Sequence, residues 1–513
     1  MPSRTLENDG AVELEGLSIV VPDVRGSVTI ERGAPPTSPR ADRRRTGAGG
    51  ARRADPLETA LRRQGMRTYR SAVIDGTRTP PRPTRRGGPP PKSEPIELSV
   101  RPPRKDRGQV VLTIENNVAT WHVAMESAAE AGRGERRGEG RASAPGVSRG
   151  PTGGPRRLTY LIPQVRPAPE RATRGGFPIS MIVRIITFPI GKVIGQAARL
   201  IARKWDADRH PPRIRAYGPD GRLTDLTAAD WERLAKGRVL LFVHGTFSTT
   251  EGAFSGLPQA TRQTLHDRYG GRVIAYDHPT IADDPFTNAR RFFELVNGRA
   301  LELDIVCHSR GGLVSRSIAE RPGDLANLGS KVQVRQVVLV GVLSNGTILA
   351  DATHWGELAD RFTILLRLIP APGVVDALET VLTVVKAIAM PIAQDLEGLD
   401  AMAPTSEYLQ HLNTGPKRAG DPTYRVIGSN FEPSDPDLRA WLNDEIRDGL
   451  FEQLPNDMMV TIQSMSAANG SGRFPIAAAD CRSFEPQDAV EHANYFGQPR
   501  TSEWLLDWLR GAA

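Results

Sequence analysis

The chain has 513 residues, 39% of them hydrophobic, with two cysteines and a formal net charge of +8. This length allows two or three domains, or one large domain with appendages, and a core large enough to hold a buried site. Two cysteines exclude a disulfide framework, and no run of about 18 uncharged apolar residues is present to make a membrane-spanning helix.

The positive charge lies largely in the first third, as in Arg43-Arg44-Arg45, Arg52-Arg53, Arg85-Arg86 and Arg136-Arg137, among glycine and proline. Such runs suit nucleic acid or anionic membranes when a recognition module frames them. No such module and no interleaved aromatics accompany these, so they read as solvated linker and no nucleic-acid partner is expected. The opening MPSRTLENDG lacks the apolar stretch of a secretory signal, so a cytoplasmic location is expected. Strand-like pieces fall at Ala11–Val21, Gly26–Glu31 and Met66–Ile74, and a short helix at Pro56–Arg63. QVVLTIENNVATWHVAM, residues 109–125, alternates as two strands about a turn at Asn116-Asn117. Residues 1–156 thus read as an Arg/Pro/Gly-rich region of small β pieces on disordered linkers, unable to bury much surface alone.

Residues 157–236 read as a connecting region. Within it, Ile182, Ile185, Ile186, Val193, Ile194, Ala197 and Ile201 recur at helical spacing, opposite Arg184, Arg199 and Arg203. This predicts a basic amphipathic helix over 177–205, interrupted at Pro189. Its apolar face suits packing on a core, with peripheral membrane contact as the other use.

From residue 237 strands and helices alternate. Strands are expected at Arg238–Val243, Arg272–Tyr276, Leu303–Cys307, Val332–Val342, Tyr424–Gly428 and Met458–Ile462. Helices are expected at Ala253–Arg268, Phe286–Asn297, Gly312–Glu320 and Ser502–Arg510. The alternation predicts an α/β domain over 237–513, with a mainly parallel sheet and helices on both faces. A helical insertion over 345–415 interrupts it.

Within that rhythm, Cys307-His308-Ser309-Arg310-Gly311 sits between a strand and a helix. It differs from the G-x-S-x-G nucleophile elbow only in Cys307, and it makes Ser309 a candidate nucleophile. A serine needs a base, and the base needs an acid. Three histidines follow: His354 and His411 lie in the insertion, whereas His492 lies in a loop before the closing helix, where a base belongs. Asp457 is the first choice of acid and Asp435 the second. An oxyanion needs backbone donors. Arg310 N–H is one, and Thr246 N–H, after the turn at Gly245, is the other, with Phe247 N–H as alternative. His244 would hold that loop by side-chain hydrogen bonds.

The blocks LFVHGTFS (241–248), VCHSRGGLV (306–314), VGVLSNGT (340–347), NDMMV (456–460) and HANYF (492–496) resemble, in order, those of the lipase-like branch of the α/β-hydrolase superfamily. Bacterial triacylglycerol lipases and GPI-inositol-deacylase-like proteins carry similar blocks. The resemblance implies an α/β-hydrolase fold with Ser309, Asp457 and His492 as triad and Thr246 and Arg310 as oxyanion hole. It implies a helical lid at 345–415 and hydrolysis of small-molecule or lipid esters without metal or organic cofactor. The other readings are acyl transfer or amide cleavage by the same triad, and a non-catalytic interaction protein that keeps the fold. Two departures stand out: Cys307 and Met458 occupy places where those families carry glycine.

Overall fold

The computed structural model describes residues 3–6, 11–14, 16–32, 55–78, 94–124, 157–164, 176–190, 203–204, 206–320, 325–368, 374–388, 396–414, 420–447, 450–451, 453–467 and 474–511. The chain forms two compact units. The first comprises residues 1–194, 381–393 and 433–448; the second comprises 195–380, 394–432 and 449–513.

The first unit is built from two antiparallel sheets. Its strands are β1 (Ser3–Leu6), β2 (Ala11–Leu14), β3 (Leu17–Val20), β4 (Val24–Arg32), β5 (Arg67–Arg78), β6 (Ile96–Val100), β7 (Arg107–Glu115), β8 (Val118–His122), β9 (Leu158–Ile162) and β10 (Phe177–Pro189). One sheet has the order β1-β4-β5-β10-β7-β8 and the other β2-β3-β6-β9. Leu17, Ile19, Leu98 and Tyr160 of the smaller sheet share one core with Val28, Ile74, Val111 and Val183 of the larger. The β pieces of 1–156 therefore do not bury a core alone: they share it with β9 and β10, which lie beyond residue 156. The linker-like stretches between them lie outside the described residues. The turn at Asn116-Asn117 has positive φ at both residues, 49° and 68°, as a two-residue hairpin between β7 and β8 requires.

The helix expected over 177–205 is a strand as far as Pro189, and residues 191–202 lie outside the described residues. β10 pairs with β5 on one side and β7 on the other. A central strand covered on both faces carries a continuous apolar run rather than alternation, and Met181–Phe188 is such a run, wholly buried. Its one charge, Arg184, is paired with Glu58 at 3.1 Å. Over Phe177–Pro189 there is thus no amphipathic helical face. Among the described residues no helix is long and apolar enough to cross a membrane.

The second unit is the α/β domain. Its strands are β11 (Arg213–Tyr217), β12 (Leu223–Asp225), β13 (Val239–Val243), β14 (Val273–Asp277), β15 (Leu301–His308), β16 (Val332–Val340), β17 (Thr423–Ser429) and β18 (Cys481–Phe484). The sheet order is β12-β11-β14-β13-β15-β16-β17-β18, parallel from β14 to β18, with an antiparallel β11–β12 edge. Leu240, Phe242, Val306, Val338 and Ile427 share a core with Phe254, Leu265, Leu505 and Trp508 from helices Thr250–Phe254, Gln259–Arg268 and Pro499–Trp508. The alternate residues point to the other face. There Tyr276 packs on Phe292 of helix Pro285–Val296 at 5.3 Å, and Cys307 meets Ser315 of helix Gly311–Glu320. The mainly parallel sheet with helices on both faces is thus present.

Two local expectations change. Ala253–Arg268 divides into two helices, because Pro258 takes the N-cap position of the second. Met458–Ile462 is not a strand. It is a tight turn closed by an Asn456–Thr461 bridge and followed by helix Ile462–Ser466, for which Thr461 is the cap. The described part of 345–415 is helical, with helices Trp355–Leu368, Val374–Ile388, Glu397–Asp400 and Glu407–Asn413.

Candidate active site

β15 delivers its chain to Ser309, which stands in the left-handed region at φ 53°. Serine enters that region only under constraint. Here the Ser309 N–H donates to Val340 O at 3.0 Å, and Gly312 N–H donates to Ser309 O at 2.9 Å. The elbow packs so closely that a Cβ on Gly311 would lie 2.4 Å from His244 O, and one on Gly312 2.2 Å from Val342 Cγ1. Cys307, by contrast, has room for its side chain toward Ser315. Burial pushes its thiol up to about 12, so it remains a neutral packing group.

His492 follows β18 in a loop whose backbone is tied to the acid turn by His492 N–H donating to Asp457 O at 3.1 Å. Its Nε2 lies 2.9 Å from Ser309 Oγ and its Nδ1 2.7 Å from Asp457 Oδ2. A proton on Nδ1 serves the carboxylate and leaves Nε2 to accept from the serine hydroxyl. Asp457 has every lone-pair direction used. Oδ1 accepts from Met459 N–H at 3.0 Å and Val460 N–H at 2.8 Å, and Oδ2 also accepts from Tyr495 OH at 2.8 Å. Met458 takes the left-handed conformation at φ 82°, which glycine adopts freely, and so keeps the turn. Gly341 closes the space behind, since a Cβ there would lie 2.8 Å from Tyr495 Cε2 and 3.3 Å from Asp457 Oδ2.

The alternative acid, Asp435, is a helix cap. Its Oδ1 accepts from Asp437 N–H and Leu438 N–H at the start of helix Pro436–Arg447. Of the other two histidines, His354 faces Glu357 at 3.9 Å, and His411 lies on Phe286 with ring centroids 5.6 Å apart.

The oxyanion side is built from the β13 end. A Cβ on Gly245 would lie 2.7 Å from Ser309 Cβ and 3.3 Å from its Oγ, so the backbone at Gly245 packs directly against the serine. His244 Nε2 accepts from His278 N–H at 3.2 Å, which leaves Nδ1–H to donate to Gly245 O at 3.0 Å. The peptide is planar and trans, so holding that carbonyl fixes the Thr246 N–H in the opposite direction. His244 stacks on His278 at 4.3 Å, and burial holds its imidazole down at about 4, neutral as this role needs. Among the described residues neither the Thr246 nor the Arg310 backbone N–H has an acceptor. Phe247, the alternative donor, stands at φ 58° with its ring edge-on to Phe362 at 4.4 Å.

Three groups here carry no assignment from sequence. Tyr495 lies three residues after His492 in a block whose spacing is legible. His308 donates from Nε2 to His492 O at 2.8 Å, and burial depresses it to about 3. Glu491 is buried beside the histidine, and desolvation raises its carboxyl to about 7. Among the described residues no group of three or more His, Cys, Asp or Glu side chains is arranged to hold a metal ion. Hydroxyl, imidazole and carboxylate in this series can pass the serine proton to Nε2 while the carboxylate stabilises the resulting cation. All three are nearly buried, Ser309 at 4%, His492 at 1% and Asp457 at 0% exposure, so the charge would form away from bulk water.

A family model described as a domain of unknown function, DUF7379, matches residues 210–510. No curated protein matches the sequence. Among solved structures, phospholipase PlaB from Legionella pneumophila is 14% identical over 53% of this chain and 60% of its own, with a TM-score of 0.34. The chain therefore spans about three-fifths of that protein's length. Lipase 1 from Pelosinus fermentans is 14% identical over 53% of this chain and 97% of its own, TM-score 0.36. EstA from Clostridium botulinum is 12% identical over 62% and 93%, TM-score 0.36.

Proposed function

The chain belongs to the DUF7379 family, and we propose that it is a serine hydrolase that cleaves carboxylic esters through an acyl-enzyme. The reading rests on one observation: the continuous series Ser309 Oγ, His492 Nε2, His492 Nδ1, Asp457 Oδ2, at 2.9 and 2.7 Å, with the backbone N–H groups of Arg310, next after the serine, and Thr246, next after Gly245, without acceptors among the described residues.

Ser309 Oγ attacks the ester carbonyl carbon as its proton passes to His492 Nε2. The carbonyl oxygen becomes an oxyanion and accepts from Thr246 N–H and Arg310 N–H. The C–O bond to the alcohol then breaks, and His492 returns the proton to the leaving oxygen. Water replaces the alcohol, gives a proton to the same nitrogen and attacks the acyl carbon. Collapse frees the acid and restores the Ser309 hydroxyl. Asp457 keeps the imidazole in one tautomer and stabilises its cation; Tyr495 and the Met459 and Val460 amides keep Asp457 in place. No cofactor enters any step.

Apolar groups from 345–415 support an acyl chain as the part of the substrate next to the ester. Phe362 packs on Phe247, and Met402 Sδ takes the Thr246 hydroxyl at 3.4 Å. In this reading the insertion acts as a lid, with a lipid or other apolar ester beneath it. A fluorophosphonate probe tests the chemistry, with Ser309→Ala as control. Labelling of the wild type alone is expected, and an unlabelled folded wild type would overturn the reading. Esters of rising acyl length test the substrate class. Activity that only falls with length, with no gain at a lipid interface, removes the lid and the apolar chain.

A further inference from the structure

Arg310 is wholly buried beside the nucleophile. Only its backbone has a role in the reaction proposed above, yet its side chain is desolvated at considerable cost. Nε donates to Gly398 O at 3.1 Å, in the turn Glu397–Asp400 of the insertion. The Nη2 donates to Asp283 O, in the loop after β14. The Nη1 is buried without a partner among the described residues, so these two carbonyls take all the bonds the guanidinium makes. The two segments are also joined directly, by Gly398 N–H donating to Ile281 O at 3.1 Å. The loop after β14 is held from its other side by Asp206, whose Oδ2 accepts from Ile281 N–H and Ala282 N–H at 2.8 and 2.9 Å. Asp206, Asp283 and Asp284 supply the negative charge around the guanidinium.

The same insertion turn reaches the second oxyanion donor. Met402, four residues after Gly398, accepts from the Thr246 hydroxyl, and its carbonyl accepts from Thr347 N–H at 2.9 Å. Arg310 thus carries one oxyanion N–H on its backbone, while its side chain fixes the segment that contacts the residue carrying the other.

We propose that Arg310 is a positioning residue, whose buried side chain sets the oxyanion hole by clamping residues 396–403 of the insertion to the loop 281–283. Residues 396–403 are then a fixed wall of the site, and whatever opens to admit substrate lies elsewhere in the insertion. The inference rests on the serine-hydrolase reading.

The test compares Arg310→Met, Arg310→Lys and Gly398→Ala in the full chain. Active sites are counted by fluorophosphonate titration, and kcat and KM are measured on a short-chain p-nitrophenyl ester. Gly398→Ala leaves Arg310 and the triad intact, but its Cβ would meet Ile281 O at 2.7 Å and Asp283 O at 2.8 Å, so the wall must shift. Arg310→Met is expected to lower kcat per titrated site by about 10- to 100-fold, somewhat less than outright loss of an oxyanion donor, with KM within about threefold. Lysine restores part of the loss, and Gly398→Ala lowers kcat in the same sense. A side chain that served stability alone would reduce the fraction of titratable sites and leave kcat per site unchanged. Wild-type kcat per site in Arg310→Met overturns the proposal. Should that variant not fold, wild-type kcat in both Arg310→Lys and Gly398→Ala overturns it, and reduced kcat in both sustains it. A wild type that fails to label sinks the hydrolase reading instead, which separates the two failures.

Discussion

Met458 offers a test in which two energies of opposite sign act at one residue. It holds the turn that presents Asp457, at φ 82° and 1% exposure. A left-handed conformation costs a non-glycine residue roughly 1–2 kcal/mol. Removing a buried methionine side chain costs roughly 2–5 kcal/mol. Burial is the larger, so Met458→Gly is expected to destabilise the second unit by about 1–3 kcal/mol even though glycine suits the backbone. Met458→Ala loses nearly the same side chain and keeps the backbone penalty. It should therefore be about 1 kcal/mol less stable than Met458→Gly, the reverse of the order seen in helices and strands. Hydrogen exchange in urea, followed on β16 and β17 peptides, reads this unit without interference from the first. An alanine variant as stable as the glycine variant, or more so, refutes the conformational argument. A glycine variant more stable than wild type refutes the claim that burial outweighs strain.

Tyr495→Phe removes one of four donors to Asp457 and is expected to cost about 1.5–3 kcal/mol of stability, the range for a hydrogen bond to a charged group. Its kcat should fall by no more than about tenfold, because Met459 and Val460 still hold the carboxylate; a loss equal to that of Asp457→Ala in ester hydrolysis would refute this. Glu491 has its folded-state carboxyl raised from 4.5 to about 7, so the folded state binds the proton more tightly than the unfolded one and stability falls as pH rises across that window. The fall is at most about 3 kcal/mol; Glu491→Gln should flatten the pH dependence of unfolding between those values, and an unchanged profile would show the carboxyl does not titrate there. Gly311→Ala places a Cβ 2.4 Å from His244 O, where backbone must yield, so a loss of about 1–3 kcal/mol or more and slower fluorophosphonate labelling are expected; wild-type values for both would refute the contact.

The parallel sheet was legible because each strand from β13 to β17 holds a short apolar run and a helical stretch separates it from the next strand in the chain. The order of Ser309, Asp457 and His492 was legible because each sits at an element boundary, where side chains are free to meet. β10 was not, because a strand buried on both faces loses the alternation that marks a strand, and its isoleucines then fit a helical stripe equally well. Pro189, taken for a kink, ends the strand. The core of the first unit was missed for a related reason: Leu17, Leu98 and Val183 come from strands far apart in sequence, each too short to suggest a shared interior. The side chain of Arg310 had no sequence signal, since its partners are backbone carbonyls 27 and 88 residues away.

Three of the strained residues of the second unit stand where the proposed chemistry is. Its described left-handed residues other than glycine are Phe247, Asn297, Ser309, Gln453, Met458 and Ala489. Asn297 is a helix C-cap, an ordinary use of that conformation. Phe247 adjoins Thr246, the proposed oxyanion donor, Ser309 is the proposed nucleophile, and Met458 adjoins the proposed acid Asp457. At roughly 1–2 kcal/mol each, these three cost about 3–6 kcal/mol together, comparable with the whole net stability of a small domain. Such a cost persists only where the surroundings leave the chain no alternative. The close approach of Gly311 to His244, of Gly245 to Ser309 and of Gly341 to Tyr495 supplies that constraint, because each brings two elements nearer than any side chain would allow. The glycines thus do their work at second hand: they let the packing force a serine, a phenylalanine and a methionine into a conformation that glycine alone adopts freely.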